Sequence, residues 1–194
     1  MKYFVDFDRT IFDTESFKKA FARHATAREL WLQFVATIKE FFSGTRTLPK
    51  RRIATRTLGT YASHGRFGFT PAELKLYLYP DALTFLEAHG PDTTIVTYGV
   101  RAFITAKVTS ALTDIHVRDV VYTHQKKGRT IRRLTEKEDE LCVFVDDAQF
   151  QLRSVTRACP SVACIEIRRD GASGAGTWPV IRSFDELSAA LTPS

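Results

Sequence analysis

The chain has 194 residues, 44% hydrophobic and 12% aromatic, with 28 Lys and Arg against 22 Asp and Glu for a formal net charge of +6. Its 15 Phe, 6 Tyr and 2 Trp can fill a core, which excludes a wholly disordered chain, and the length suits one domain or one domain with an insertion. The three cysteines, Cys142, Cys159 and Cys164, lack zinc-ligand spacing and read as buried reduced thiols, which argues against a disulfide framework.

The run Met1 to Val5 reaches Asp6 and Asp8 at once, so no apolar stretch of signal-peptide or membrane-span length opens the chain. A soluble cytoplasmic protein with no membrane partner is expected. Tyr3 to Val5 reads as a buried strand ending in acids. From Ser16 to Phe42, Phe17, Phe21, Leu30, Trp31, Phe34, Ile38 and Phe41 follow helical spacing. Gly44 to Arg52 is a basic loop, Ile53 to Tyr61 a second helix, and Thr70-Pro71-Ala72-Glu73 a helix start with a capping Thr.

From Pro80 helix and strand alternate. Helices are expected over Asp81 to His89 (closed by Gly90), Arg101 to Leu112, Gly128 to Glu136 and Phe150 to Ala158. Strands are expected over Thr93 to Val96, Val117 to Tyr122, Cys142 to Val145 and Val162 to Ile167. Ser183-Phe184-Asp185-Glu186 reads as a capping box opening a last helix. Such alternation predicts an α/β fold with a doubly wound (Rossmann-like) parallel sheet, formed by 1–13 and 80–194 and carrying an inserted all-helical segment, 14–79.

Three of the apolar strands end in polar groups: Asp6-Phe7-Asp8, Thr97, and Asp146-Asp147. Ligands of doubly wound sheets bind beyond the carboxyl ends of the strands, so these groups are candidates to converge. Four carboxylates at one point repel each other and are tolerable only around a cation. Hard oxygen donors without His or Cys favour Mg²⁺ over zinc.

These residues carry a resemblance. Phe4-Val5-Asp6-Phe7-Asp8-Arg9-Thr10-Ile11-Phe12-Asp13-Thr14 resembles the first motif of the haloacid dehalogenase-like phosphohydrolase superfamily. Val96-Thr97-Tyr98-Gly99 resembles the second, Lys127-Gly128 with Ile131 and Leu134 the third, and Val143-Phe144-Val145-Asp146-Asp147 the fourth. The motifs run in order along nearly the whole chain, with an insertion after the first that resembles a helical cap. The resemblance implies a phosphatase with Asp6 as nucleophile and Asp8 as acid and then base. Thr97, Tyr98 and Gly99 would hold phosphoryl oxygens, and Lys127, with Lys126 able to substitute, would neutralise charge. It further implies Mg²⁺ on Asp6, Asp8 (through its carbonyl), Asp146 and Asp147. Lys107, mid-helix, reads instead as a solvated surface charge.

Two departures stand out. Arg9 occupies a position where many members have Gly, which places a long cationic side chain near the entrance, where substrate binds. Ala148, Gln149, Phe150 and Gln151 supply no later acid to the fourth motif. A dehalogenase is disfavoured because that branch lacks the carboxylate of Asp8, and a receiver domain because its acids occur in a different order. A phosphomutase shares the same residues.

The charge is unevenly placed. Segment 14–79 holds twelve Lys and Arg against four Glu, a net of +8, which leaves −2 for the remainder. Such a lid suits a small phosphorylated substrate, and Lys50-Arg51-Arg52 within it could also meet nucleic acid, although no nucleic-acid motif accompanies them.

Overall fold

The computed structural model describes residues 1–24, 69–98, 101–123, 125–136, 138–174 and 176–192. The expected basic loop 44–52 and helix 53–61 lie outside the described residues, as does the expected helix beyond residue 24. In chain order the elements are β1 (Lys2–Val5), α1 (Thr14–His24), α2 (Pro71–Lys75), α3 (Pro80–His89), β2 (Thr93–Tyr98), α4 (Arg101–Ala111), β3 (Asp119–Thr123), α5 (Lys127–Thr135), β4 (Cys142–Asp146), α6 (Gln149–Ala158), β5 (Ala163–Ile167), β6 (Val180–Ile181) and α7 (Leu187–Ala190), with 3₁₀ turns at Gly90–Asp92 and Phe184–Glu186. The chain divides into two compact units. Met1–Asp13, Leu78–Tyr98 and Asp114–Ser194 form the first, and Thr14–Tyr77 with Gly99–Thr113 the second. Among the described residues no helix is long and apolar enough to cross a membrane.

In the first unit six parallel strands lie in the order β3-β2-β1-β4-β5-β6. The chain steps outward from β1 to β3, returns to place β4 beside β1, and steps outward again. The reversal of winding, where a crevice opens in such sheets, therefore falls between β1 and β4. Strands buried on both faces need continuous apolar runs, which Tyr3-Phe4-Val5 and Cys142-Val143-Phe144-Val145 supply. Phe4 and Phe144 pack into a core with Ile131 of α5 and Leu152 and Val155 of α6. On the opposite face Tyr3 meets Phe85 of α3 edge-on at 5.1 Å, and Phe85 stacks on Phe184 at 4.5 Å. The doubly wound α/β architecture read from the sequence is the one observed.

Gly90 closes α3 as expected: it is the C-cap, with φ −52°, and the chain runs on into a 3₁₀ turn. Glycine is required there because a Cβ would lie 2.0 Å from the His116 carbonyl oxygen. One local expectation needs correction: Ser183 does not form a capping box, since its hydroxyl donates to Asp185 (3.3 Å) while the Glu186 carboxylate accepts from the Arg182 amide (3.2 Å). A 3₁₀ turn and a four-residue helix result. The Thr70 box is present, with reciprocal bonds to Glu73 of 2.7 and 3.3 Å. All three cysteines are buried and outside any disulfide.

In the second unit Phe17 and Phe21 of α1 pack with Phe69 and Tyr77. Lys107 of α4 is not a surface charge: it is 2% exposed, with its ammonium 5.9 Å from the Phe17 ring centre. It stands three residues after Ile104, beside Val108 and four before Ala111, which puts it on the buried stripe of the helix.

Candidate active site

The register of the sheet assembles the site. Val5 is opposite Val145, and Asp6 N–H donates to the Val145 carbonyl at 2.9 Å, so Asp6 and Asp146 stand side by side at the carboxyl ends of β1 and β4. Both are buried. Two anions so placed repel each other, and the ammonium of Lys127 lies between them, 2.5 Å from Asp6 Oδ1 and 2.7 Å from Asp146 Oδ2. Lys127 is 1% exposed, whereas Lys126 is exposed, so of the two lysines it is Lys127 that meets the acids.

Lys127 reaches this position because of how α5 starts. Its amide donates to Gln151 Oε1 at 2.8 Å, and the next amide, that of Gly128, donates to Ser154 Oγ at 3.2 Å. A Cβ on Gly128 would lie 2.2 Å from the Ser154 carbonyl oxygen, so only glycine lets α5 approach α6 closely enough to deliver the lysine. From the sequence Gln151 reads only as a missing acid. The structure makes it the anchor of Lys127, a role visible only once α5 and α6 are packed together.

On the opposite side Asp146 Oδ1 accepts from the Ala148 amide at 2.8 Å. Asp147 is half-buried, and Arg9 Nη1 lies 4.0 Å from its Oδ2. Oxygens of Asp6, Asp146 and Asp147 all fall within 4.8 Å of one another. The half-buried Asp8 is outside this trio, though close enough to act electrostatically on Asp6. Thr97, at the end of β2, is 1% exposed, and among the described residues its hydroxyl has no hydrogen-bond partner. Tyr98 is half-buried, and Gly99 lies outside the described residues. Glu166, across from Asp146 on β5, is a buried acid that the sequence reading missed. It accepts from Gln149 at 3.0 Å and faces Arg168 at 3.5 Å, outside the trio.

The electrostatics follow from burial. Removal from water pushes the Asp6 carboxyl up to about 7, with the charges of Asp146 and Asp8 adding to the rise and Lys127 opposing it. Burial likewise raises Asp146 against the pull of Lys127. For Lys127 burial acts downward, but Asp146 and Asp6 outweigh it and hold the amine protonated. One ammonium between two carboxylates leaves an excess of negative charge, to which Asp147 adds. The donors are all oxygen, the set a small divalent cation accepts, so these residues fit Mg²⁺.

No family model matches the sequence, and no curated protein matches it. Solved structures do match. A haloacid dehalogenase-like hydrolase from Burkholderia xenovorans superposes with a TM-score of 0.64 at 19% identity, over 98% of each chain. A HAD-hydrolase from Bacillus subtilis bound to magnesium gives 0.63 at 12% identity, over 99% of this chain and 98% of that one. A dehalogenase with an intermediate complex gives 0.62 at 14% identity, over 100% of this chain and 97% of that one. With the parallel sheet and its winding reversal, these likenesses establish that the chain has the fold of the haloacid dehalogenase-like superfamily.

Proposed function

We propose that the protein is a Mg²⁺-dependent phosphoric monoester hydrolase acting on a small phosphorylated compound. The observation that carries this reading is the Lys127 ammonium set between Asp6 and Asp146 beside a third carboxylate, with a buried hydroxyl on Thr97 that is unsatisfied among the described residues. Asp6 is the nucleophile: a carboxylate oxygen bonds to phosphorus as the P–O bond to the leaving group breaks. Asp8 protonates the departing oxygen, then takes a proton from the water that cleaves the acyl phosphate, which regenerates Asp6 and releases phosphate. Lys127 neutralises Asp6 and the phosphoryl group, while Thr97, Tyr98 and Gly99 bind its oxygens. Arg9 lies at the substrate side, by Asp147. Asp6, Asp146, Asp147 and the Asp8 carbonyl would hold Mg²⁺, whose charge offsets the repulsion between anionic nucleophile and anionic substrate.

The carboxylate of Asp8 favours phosphoryl transfer over dehalogenation. The +8 of segment 14–79, here assigned as the inserted cap, favours an anionic substrate. The direct test is phosphate release from an aryl phosphate with Mg²⁺. Wild type is expected to turn over and Asp6→Asn to be inactive; full activity of Asp6→Asn would overturn the assignment. The same charge also motivates a second reading, a nucleic-acid-directed phosphatase. Salt-dependent retention on single-stranded nucleic acid, lost when Lys50, Arg51 and Arg52 are neutralised, would favour it.

A further inference from the structure

The loop after β1 contains an unusual backbone conformation. Arg9 has φ +62°, and among the described residues no other non-glycine residue has a positive φ. That region costs an L-residue with a Cβ stabilisation that glycine keeps, and such a conformation persists only where its surroundings impose it. Within the loop Arg9 N–H donates to the Phe12 carbonyl at 2.8 Å, and the amides of Ile11 and Phe12 both donate to the Phe7 carbonyl at 3.0 Å. These bonds close the loop on itself without tying it to the remainder of the unit.

That tie comes from Arg169, just past the end of β5 and 159 residues away in sequence. Its Nε and Nη2 both donate to the Thr10 carbonyl, at 3.2 and 2.8 Å. Its Nη1 donates to Asp81 (2.7 Å) and to the Arg182 carbonyl (3.1 Å). The guanidinium lies 4.2 Å from the Tyr79 ring centre and 5.5 Å from that of Phe184. The planar fork is thus held against two aromatic rings and along its edge, and it grips the carbonyl next to the left-handed residue. From the other side, the Tyr79 amide donates to the Ile11 carbonyl at 2.9 Å.

We propose that Arg169 is a positioning residue: by clamping the Thr10 carbonyl it holds Arg9 in its left-handed conformation and thereby fixes Asp8, one residue earlier. The catalytic half of this inference rests on the assignment of Asp8 as acid and base. The conformational half does not. Because glycine adopts φ +62° without penalty, the clamp matters less when residue 9 is glycine, and a double-mutant cycle reads this directly.

The experiment compares Arg169→Gln in the wild-type and Arg9→Gly backgrounds. It follows amide exchange of Arg9, Ile11 and Phe12, together with kcat and KM for an aryl phosphate with Mg²⁺. In the wild-type background, loop exchange is expected to rise and kcat to fall about tenfold, the factor that left-handed strain represents, with KM little changed. Exchange in β4 stays unaltered. In the Arg9→Gly background both effects should shrink to less than about threefold. Equal effects in both backgrounds, or unchanged loop exchange, would overturn the proposal. Arg169→Lys keeps a cation against Asp81 but lacks the fork, and it decides the matter by the same cycle if the glutamine variant fails to fold. If the wild type releases no phosphate from any ester, the functional reading fails while the exchange cycle still judges the clamp.

Discussion

Replacing Lys127 with methionine probes the centre of the site. The side chain keeps nearly its length, but the ammonium that separates Asp6 from Asp146 at 2.5 and 2.7 Å is removed. At those distances, and in an effective dielectric of about 20, the lysine attracts each carboxylate by roughly 6 kcal/mol, much of it offset by the desolvation of three buried ions. The net loss expected near pH 7.5 is about 3–5 kcal/mol, the range found when one partner of a buried pair is removed. Near pH 4 the loss should fall to about 1 kcal/mol, because both carboxyls then carry protons in the variant with little penalty relative to the unfolded chain. Urea denaturation of both proteins at the two pH values, with and without Mg²⁺, measures this. The divalent ion should restore part of the loss at the higher pH. Equal destabilisation at both pH values, with no recovery by Mg²⁺, would show that carboxylate repulsion is not the origin of the effect.

Other consequences can be measured separately. Asp6 has its carboxyl raised from 3.8 to about 7, so the folded state binds the proton more tightly than the unfolded chain does. Its contribution to stability is complete below 3.8 and is lost as pH rises to about 7, so the metal-free protein should weaken across that window in thermal melts and Asp6→Asn should flatten the trend. Mg²⁺ competes with the same proton, so the rise in Tm on adding it should grow up to about pH 7 and level off above. Thr97→Val removes a buried hydroxyl that has no partner among the described residues. We expect stability unchanged or raised by about 1 kcal/mol in urea titration, while kcat falls at least about tenfold; a stability loss with intact kcat would assign Thr97 to structure. Gly128→Ala places a Cβ 2.2 Å from the Ser154 carbonyl oxygen, so α5 must shift, with an expected loss of about 2 kcal/mol or more and a marked drop in kcat.

Much of this was legible in the sequence because the strands of the sheet centre are continuous apolar runs that stop at acids. Tyr3-Phe4-Val5 before Asp6 and Val143-Phe144-Val145 before Asp146 signal both the element and the buried carboxylates at its end. The two-residue β6 carries too little pattern to read. Choosing between Lys126 and Lys127 needs the phase of α5, which is set by the contact of Gly128 with Ser154, a long-range fact. Lys107 reads as exposed by its charge alone, yet it shares the buried stripe of its helix with Ile104 and Val108. Glu166 and Arg169 belong to no local pattern: one becomes notable through its register with Asp146, the other through a carbonyl far back in the chain.

The order of the strands has a consequence for how the site comes into being during synthesis. The strand that ends at Asp6 is the first of the six to be made, yet its two neighbours are β2 and β4, about 90 and 140 residues further on. Until residue 146 has emerged, β1 lacks one of its flanking strands, and the acids of the two halves of the sheet have not met. A nascent chain is thus spared the repulsion of Asp6 and Asp146 until Lys127, translated between them, is available to offset it.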